Sequence, residues 1–473
     1  MDRLIINLPR WLMLAALVYA PWAYGATRDW AISGLNWLLG GIFTLWAVSW
    51  LLRREWPPLP KVMVVAALAL TAQAWLMASN SKFEYAQFEQ DFIPLEGWAE
   101  WLPGSLHRAR SWELAVQITA LLSALIVITD MARSSTWRRR LIWTMGITGV
   151  SIVGLGLAQK FTHAPGIFWE PEGFGDAFFA TYRNRCNAGS FLNLVWPLLA
   201  GCAVLAFLRD KPAWQRALWV CAVVLCLAGL MVNASRAPAA VGLALMGVWA
   251  GWLAWQWMRG RFVGTSTATA LTTGVVLVLL VLLVASLSAF VGMDASFKRW
   301  RLFEREVTEK NARLITAKVC VEMVPEAGWW GFGPGTFQTA FPYFTQETGT
   351  TIRGRWLNAH QDYLQTLIEW GYIGGAAWTL LIGGALLAGR RARQRQEVSE
   401  SARVMRFAVI VSLLGVLLHA LVDFPLQIPS LQLYTLALAG LLWSSGQWAS
   451  ERRTEHVHRR RRKVERDELA CAA

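Results

Sequence analysis

Residues 188–208 read AGSFLNLVWPLLAGCAVLAFL and contain no charged side chain. An α-helix needs about 20 such residues to cross the roughly 30 Å hydrocarbon layer of a membrane. Comparable apolar stretches recur along the chain, and in lipid a helix satisfies the backbone hydrogen bonds of each stretch internally. The sequence therefore predicts about twelve membrane-spanning helices, near residues 10–28, 31–53, 60–79, 112–131, 139–160, 188–208, 214–233, 236–257, 268–291, 371–390, 405–423 and 429–448.

The composition supports this assignment. The chain of 473 residues is 55% hydrophobic and 16% charged, whereas a soluble domain carries about 25% charged residues. A transmembrane β-barrel would instead show alternating segments of about ten residues. We predict an all-α polytopic membrane protein that forms one domain over residues 1–473. The first apolar stretch lacks a small-residue cleavage site, so we expect no cleaved signal peptide.

The Lys and Arg residues are unevenly distributed between alternate connecting segments. With the N-terminus in the cytoplasm, the cytoplasmic segments carry most of the 45 Lys and Arg residues, and the opposite side is slightly acidic. This asymmetry follows the positive-inside rule and predicts that both termini are cytoplasmic. The basic tail, residues 451–473, would then meet anionic lipid at the membrane surface. We therefore expect no nucleic-acid partner.

The same topology predicts three long segments on the opposite side of the membrane, at residues 80–111, 161–187 and 292–370. The last of these is a large polar loop in an otherwise apolar chain. Residues Phe297 to Met323 have the apolar spacing of a helix, which Pro325 and Gly328 would end. A loop of this size is more than a connection between two helices, so we expect binding or chemistry there.

The six cysteines do not form a disulfide framework. Cys186 and Cys320 are the two predicted on the non-cytoplasmic side, where they could pair in an oxidising compartment. No Cys/His spacing typical of a metal site is present, so we expect no bound metal.

Four arginines on the non-cytoplasmic side are candidate anion-binding residues. Arg236 follows Ser235 in a very short turn, where a guanidinium could either extend to the membrane surface or grip phosphate oxygens. Arg313 belongs to the loop helix and could simply be solvated. Arg183 and Arg185 precede an apolar stretch and could bind phosphate or anchor the helix end.

Three ionisable residues are candidates for proton transfer. His360 lies in the large loop, where a lone histidine is either a surface residue or a catalyst. His419 and Asp423 are four residues apart and would share one helix face near the membrane boundary. Ionisable residues within a span are costly and default to functional roles. This pair could form a proton relay or close the floor of a site.

Together these residues resemble the O-antigen ligase and O-antigen polymerase family of bacterial membrane glycan transferases. Ser235-Arg236, Asn184-Arg185-Cys186-Asn187 and the segment from His419 to Pro429 each resemble a family segment, although Cys186 stands where the family often has Asn. The most specific part of the resemblance comprises Arg313, Gly331-Phe332-Gly333-Pro334-Gly335-Thr336-Phe337, Asn358-Ala359-His360-Gln361-Asp362-Tyr363 and Glu369-Trp370-Gly371-Tyr372-Ile373-Gly374.

The resemblance implies a multi-pass protein of the bacterial inner membrane with a large helical periplasmic loop. It implies a polyprenyl-diphosphate-linked glycan donor, surrounding membrane lipids and no cofactor or metal. Arg236 and Arg313 would bind the diphosphate, with Arg183 or Arg185 assisting, and His360 would be the catalytic base of an inverting transfer. The residues expected to support them are Ser235, Asn358, Asp362, His419, Asp423, Gly333 and Gly335.

The acceptor stays open at this point. The favoured acceptor is lipid A–core, which would make the protein an O-antigen ligase. Another glycan chain, the second choice, would make it a polymerase, and a polypeptide, the third, would make it a protein O-oligosaccharyltransferase. A transporter or flippase would need internal repeats and broken helices with charges at the bilayer midplane, and neither pattern is visible. A non-enzymatic scaffold would tolerate the loss of any single Arg or His.

Overall fold

The computed structural model describes residues 2–89, 91–171, 177–259, 312–347, 356–394 and 399–448. These parts of the chain are almost entirely helical, which confirms the all-α prediction. The helices before the large loop are α1 (Asp2–Trp22), α2 (Asp29–Arg53), α3 (Lys61–Ser79), α4 (Arg108–Met131), α5 (Ser135–Phe161), α6 (Arg185–Leu208), α7 (Ala213–Val232) and α8 (Arg236–Met258). The later ones are α9 (Ala312–Ala327), α10 (Phe337–Glu347), α11 (Asp362–Gln394), α12 (Glu400–His419) and α13 (Pro429–Ser444).

Within the described ranges, 9 helices are long and apolar enough to cross a membrane. They are α2 to α8, α11 and α12. The predicted span 268–291 and the tail 451–473 lie outside the described residues, as do the first residues of the predicted helix from Phe297 to Met323. The predicted spans 10–28 and 429–448 correspond to α1 and α13, which are not among the 9.

Several predicted boundaries are wrong for local reasons. The first helix ends at Trp22 rather than near residue 28, because Gly25 adopts a left-handed φ of 65° in a turn that packs against the ring of Tyr182. Of the two residues predicted to end the loop helix, Pro325 lies inside it, and the helix continues to Ala327, directly before Gly328. The turn to the next segment is made by Gly328, which has a φ of 62°.

A short antiparallel hairpin follows α3 and was not expected from the sequence. Strand β1 (Phe83–Ala86) pairs with β2 (Asp91–Pro94), with Phe83 opposite Pro94. Strands of four residues give too short an alternation to be recognised from a single sequence. The ring of Phe92 packs 5.2 Å from that of Tyr343 in α10, so the hairpin contacts the large loop.

Small residues allow the central helix α6 to pack closely against its neighbours. A Cβ on Gly149 of α5 would collide with Val195 of α6, and a Cβ on Gly201 of α6 would meet Ala408 of α12. Close approach through glycine is the usual way in which helices associate in lipid, where a hydrophobic driving force between them is weak. Helix α6 therefore holds the α5, α7 and α12 helices around it.

One end of the helix bundle is basic. The buried carboxylate of Asp130 accepts a hydrogen bond from the indole of Trp46 at 3.0 Å and pairs with Arg133 at 3.3 Å. The guanidinium of Arg138 lies 4.5 Å from the ring centroid of Trp448. Trp50 also donates to Asp130, and the guanidinium of Arg53 lies 3.9 Å from the ring centroid of Trp50. Arginines from two segments predicted to share one side of the membrane are thus at the same end of the bundle.

Candidate active site

His360 and Asp423 meet at the end of the bundle opposite to this basic end. His360 Nδ1 lies 2.9 Å from Asp423 Oδ1. The carboxylate is buried, with 1% of the side chain exposed, whereas the imidazole keeps 23% of its surface exposed. The histidine can therefore meet a ligand while the carboxylate stays behind it.

The backbone at His360 is strained. Its φ is 53°, a left-handed value that side chains other than glycine seldom adopt. Such strain tends to occur at functional sites, where the surrounding structure holds it in place. Here the bend redirects the chain into α11 two residues later. The predicted catalytic residue thus occupies an unusual, well-constrained position.

Asp362, predicted as a supporting residue, fixes this bend to the turn that carries Asp423. Its backbone N–H donates to the carbonyl of Ala420 at 3.0 Å. Its buried carboxylate accepts hydrogen bonds from the Leu426 N–H at 2.8 Å and from Gln427 Nε2 at 3.0 Å. Three bonds therefore join the two segments that supply the His–Asp pair.

His419 lies on the other side of Asp423, with its Nε2 4.0 Å from Asp423 Oδ2. The expectation that these residues share a helix needs correction, because α12 ends at His419 and Asp423 lies in the turn after it. His419 is fully buried, and within the described part of the chain neither of its ring nitrogens has a hydrogen-bond partner. Asp423 is thus flanked by two histidines.

Two residues at helix starts extend the site beyond Asp423. They are Cys186, at the start of α6, and Ser235, directly before α8. Cys186 Sγ lies 2.9 Å from Ser235 Oγ, and the thiol also interacts with Asp423. Asn233 Nδ2 donates to the backbone carbonyl of Arg185 at 2.7 Å, which ties the same two segments together. The Ser-Arg turn and the Asn-Arg-Cys segment therefore converge on the carboxylate.

Cys186 and Cys320 are not paired, so the disulfide left open by the sequence does not form. Cys186 faces Ser235, while Cys320 is buried in α9 within a separate apolar cluster that includes Met323 and Phe337. The thiol of Cys186 is a part of the site that the sequence marked only as a departure from the family pattern.

The four predicted arginines are placed differently with respect to the His–Asp pair. Arg313, an exposed residue of α9, is close enough for its charge to act on Asp423, His419 and Cys186. Arg236 is half-buried and begins α8, directly after Ser235. The other two are the half-buried first residue of α6, Arg185, and the exposed Arg183 in the turn before it.

These charges affect the ionisation of Asp423. Burial opposes its charged form, but the hydrogen bond and the charge of His360, together with the charges of His419 and Arg313, outweigh burial. The net result is a pKa of Asp423 below its ordinary value. The carboxylate is therefore ionised at neutral pH and can orient a neighbouring imidazole and stabilise its protonated form.

The glycine-rich turn, residues 331–337, is hydrogen-bonded to Glu369 of α11. The backbone N–H groups of Gly335 and Phe337 donate to the buried carboxylate of Glu369 at 3.1 and 3.3 Å. The N–H of Gly333 donates to the backbone carbonyl of Glu369 at 3.1 Å. In this structure Gly333 and Gly335 thus anchor the large loop to α11 through Glu369, which the sequence analysis quoted in a family segment but did not name as a site residue.

Asn358 belongs to the same network as the glycine-rich turn. Its Oδ1 accepts a hydrogen bond from Gln365 Nε2 at 3.4 Å, and Gln365 also donates to Glu369 at 3.1 Å. Gln365 Oε1 in turn accepts from the backbone of Ala359 at 3.0 Å. Asn358 therefore helps to hold the segment before His360 in place. None of these hydrogen bonds involves the imidazole of His360.

Aromatic rings hold the imidazole of His360 from two sides. The ring of Phe424 lies 4.7 Å from it and that of Trp356 5.4 Å, both edge to face. Edge-to-face packing fixes ring orientation at little entropic cost. Sequence analysis did not find these two residues, although Phe424 adjoins Asp423 and Trp356 lies four residues before His360.

An apolar cavity of about 540 Å³ lies beside the His–Asp pair. Its walls come from α4, α11 and α13 and from the turn after α12. Three of the lining residues are close to the pair. Tyr363 follows His360 by three residues, and the other two, Leu426 and Gln427, follow Asp423 and bind Asp362. Within the described ranges, no group of three or more His, Cys, Asp or Glu side chains could hold a metal ion.

Comparison with known proteins adds one finding to this geometry. Residues 221–379 match the family described as O-antigen ligase. The match includes Ser235, Arg236, Arg313 and His360, and it ends before His419 and Asp423. No curated protein matches the chain.

Proposed function

We propose, because residues 221–379 match the family described as O-antigen ligase, that the chain transfers a glycan from a polyprenyl-diphosphate carrier to an acceptor hydroxyl at the periplasmic face of the bacterial inner membrane. The observation that carries this proposal is the contact of 2.9 Å between His360 and the buried, ionised Asp423. Arg313 lies within electrostatic range of that pair. A base beside a cation is the combination that such a transfer needs.

His360 acts as the general base in this proposal. An ionised carboxylate accepts hydrogen bonds, so Nδ1 carries the proton that faces Asp423 and the lone pair lies on Nε2. Nε2 takes the proton of the acceptor hydroxyl, and Asp423 stabilises the resulting imidazolium. The partial exposure of His360 gives an acceptor access to this nitrogen.

The arginines bind the leaving group. A diphosphate gains negative charge as the glycosidic C–O bond breaks, and a guanidinium positioned at its oxygens stabilises that charge. Arg313 and Arg236 take this role, with Arg185 or Arg183 assisting. Ser235 and Cys186 position the Ser-Arg turn next to Asp423.

The transfer balances without a further reactant. The acceptor oxygen forms a bond to the anomeric carbon from the face opposite to the diphosphate, and the C–O bond to the diphosphate breaks with both electrons leaving on oxygen. The acceptor proton stays on His360 until solvent removes it. The products are a glycosylated acceptor with inverted configuration and free polyprenyl diphosphate.

The apolar cavity beside the site provides room for a lipid chain of one of the two substrates. Its volume of about 540 Å³ lies within the range of about 300–1,000 Å³ typical of ligand pockets. Both proposed substrates carry apolar chains, so an apolar cavity lined by residues close in the chain to His360 and Asp423 suits this reaction better than it would suit a soluble sugar donor.

The test is transfer in liposomes that contain the purified protein, a polyprenyl-diphosphate-linked glycan and an acceptor. His360→Gln and Arg313→Gln should each lower the transfer rate by at least about 100-fold, the usual contribution of a base or of a charge-stabilising donor. Arg110→Gln is the matched control, because Arg110 is an exposed arginine that pairs with Glu113. Full activity in both test variants would contradict the proposed mechanism.

The acceptor is the finer part of the proposal, and we favour lipid A–core, as in an O-antigen ligase. Offering the same protein lipid A–core, a second lipid-linked repeat unit or a polypeptide separates ligase, polymerase and protein O-oligosaccharyltransferase activity. Transfer to lipid A–core alone is the expected result.

A further inference from the structure

A second cavity lies at the basic end of the bundle, far from the His–Asp pair. It has a volume of about 610 Å³ and is enclosed by α5, α6, α7 and the start of α12. Arg209, at the end of α6, lines it, while Cys186, at the start of α6, belongs to the candidate active site. At 1.5 Å per helical residue these two positions are about 35 Å apart. The cavity is therefore a separate feature, close to the opposite surface of the membrane domain.

Positive charge dominates the walls of this cavity. Four of the residues that line it are cationic, and none of those lining residues, all from the described part of the chain, is acidic. The cationic residues are Arg138, Arg139, Arg209 and Lys211. Two carboxylates are close to these residues in the sequence. Asp210 pairs with Arg216 at 3.6 Å, and Glu400 is exposed. The charge of the cavity is complementary to an anion.

The cavity also has an apolar wall and hydroxyl groups. Ile142, Leu205 and Met405 line its membrane side, and the rings of Trp143 and Trp219 pack 5.9 Å apart at its edge. Indole rings at this depth prefer the boundary between headgroups and acyl chains. Ser399 and Ser401 add hydrogen-bonding groups from the start of α12. A ligand that fits this surface is negatively charged at one end and apolar at the other.

We propose that this cavity binds an anionic phospholipid from the leaflet opposite to the candidate active site. The phosphate of the headgroup lies between Arg139, Arg209 and Lys211, and an acyl chain follows the apolar wall. Basic pockets between transmembrane helices bind anionic headgroups in this way. The basic tail at residues 451–473 has the same sign of charge as the cavity, which argues against the tail as the occupant.

Arg139 and Lys211 are suited to a test, because among the described hydrogen bonds none is made by either side chain. Arg139 and Lys211 are both exposed, whereas Arg209 donates to Ser401 at 2.7 Å and joins α6 to α12. The double variant Arg139→Gln with Lys211→Gln therefore weakens the headgroup site. It removes the contact of Arg139 with the ring of Trp143 at 5.4 Å but leaves the hydrogen bond between α6 and α12 in place.

The experiment measures the melting temperature of the full-length protein in detergent during titration with phosphatidylglycerol, phosphatidylethanolamine or inorganic phosphate. A ligand that binds only the folded state stabilises it by RT ln(1 + L/Kd), where L is the free ligand concentration, so the melting temperature rises with ligand concentration once that concentration exceeds Kd. We expect such a rise with phosphatidylglycerol and little change with the other two. Each cation near the headgroup layer contributes a factor of about five to affinity, so the double variant should need roughly 25-fold more phosphatidylglycerol.

The matched control is Arg390→Gln with Arg391→Gln, which removes two exposed arginines near the end of α11, on the same side but outside the cavity. This control should respond to phosphatidylglycerol as the unmodified protein does. The proposal is overturned if phosphatidylethanolamine stabilises equally, if inorganic phosphate alone reproduces the effect, or if the control loses as much affinity as the cavity variant. Melting temperatures without lipid show whether each variant is folded.

Discussion

The buried carboxylate of Asp362 accepts a hydrogen bond from the backbone N–H of Leu426 at 2.8 Å. Together with two further hydrogen bonds of Asp362, this contact joins the start of α11 to the turn after α12. Helices α11 and α12 separate the two segments in the chain. Those segments carry His360 and Asp423 respectively. The distance between the proposed base, His360, and its partner Asp423 therefore depends on Asp362. The hydrogen bond to Leu426 involves neither His360 nor Asp423.

Substitution of Asp362 should weaken both folding and transfer. Asp362→Ala leaves two donors, the Leu426 N–H and Gln427 Nε2, without their present partner, and each buried unsatisfied donor costs about 1–3 kcal/mol. We expect a loss of about 2–6 kcal/mol in the free energy of unfolding and a lower transfer rate in the protein that remains folded. Thermal melting and liposome transfer measure the two effects.

The neighbouring Tyr363 provides the control for this prediction. Its hydroxyl donates to the carbonyl of Leu417 at 2.8 Å from an exposed position. Tyr363→Phe removes one exposed hydrogen bond and should cost less than about 1 kcal/mol. Equal losses in the two variants would mean that Asp362 has no special role in joining the segments.

His360 and Asp423 should behave as a unit in kinetics. Removal of a general base lowers kcat by about 100- to 10,000-fold, and Asp423→Asn should cost somewhat less because the imidazole remains. Since Asp423 acts only through His360, the double variant His360→Ala with Asp423→Asn should be no slower than His360→Ala alone. Steady-state transfer rates of the three variants test this expectation, and independent, multiplying losses would contradict it.

The residues of the candidate site were selected from the sequence because they lie in short local patterns. His360 was selected from the segment Asn358 to Tyr363, and Arg236 from the Ser-Arg turn. Their convergence was not predictable, because His360 and Asp423 are 63 residues apart and a sequence does not state which helix ends meet. Glu369 shows the same limit, since its role depends on N–H groups 32 and 34 residues away.

The apolar spans were predicted well for a different physical reason. Hydrocarbon demands a minimum length of apolar helix, so spans such as 188–208 are recognisable from composition alone. Boundaries shift where a tertiary contact decides them, as at Gly25, whose turn is fixed by packing against Tyr182. The β1–β2 hairpin was missed because it depends on pairing of two short segments rather than on composition.

The stability contributed by Asp423 should depend on pH in a defined direction. Its pKa is lower in the folded state than its ordinary value of about 3.9, so the unfolded chain takes up a proton first on acidification. The contribution is therefore fully present above about pH 3.9 and is lost as the pH falls through the folded-state pKa. Asp423→Asn should accordingly melt below the unmodified protein at pH 5 to 7, and the difference should shrink under more acidic conditions. A difference that does not vary with pH would contradict this assignment.

The glycine-rich turn should tolerate no side chain at Gly331. Its φ is 82°, and a Cβ there would collide with the backbone of Glu369 and Gly371, which cannot move aside as a side chain can. We expect Gly331→Ala to cost about 3 kcal/mol or more. Gly328→Ala is the control, because Gly328 also has a positive φ but open space around it, and it should cost only about 1–2 kcal/mol. Thermal melting of the two variants separates steric collision from backbone strain.

Cys186 should be a positioning residue rather than a nucleophile. Its thiol lies between Ser235 and Asp423, 2.9 Å from the serine oxygen, and serine can keep that hydrogen bond. We therefore expect Cys186→Ser to retain transfer within about threefold, whereas a nucleophile would lose at least about 100-fold.

Cys186→Leu adds volume beside the carboxylate, and overpacking of this kind costs about 1–3 kcal/mol, so transfer should fall. Cys221→Leu is the control, since Cys221 is exposed on α7 and the change should leave transfer unaltered. Loss of transfer in Cys186→Ser, measured in liposomes at equal protein content, would make the thiol itself a chemical participant.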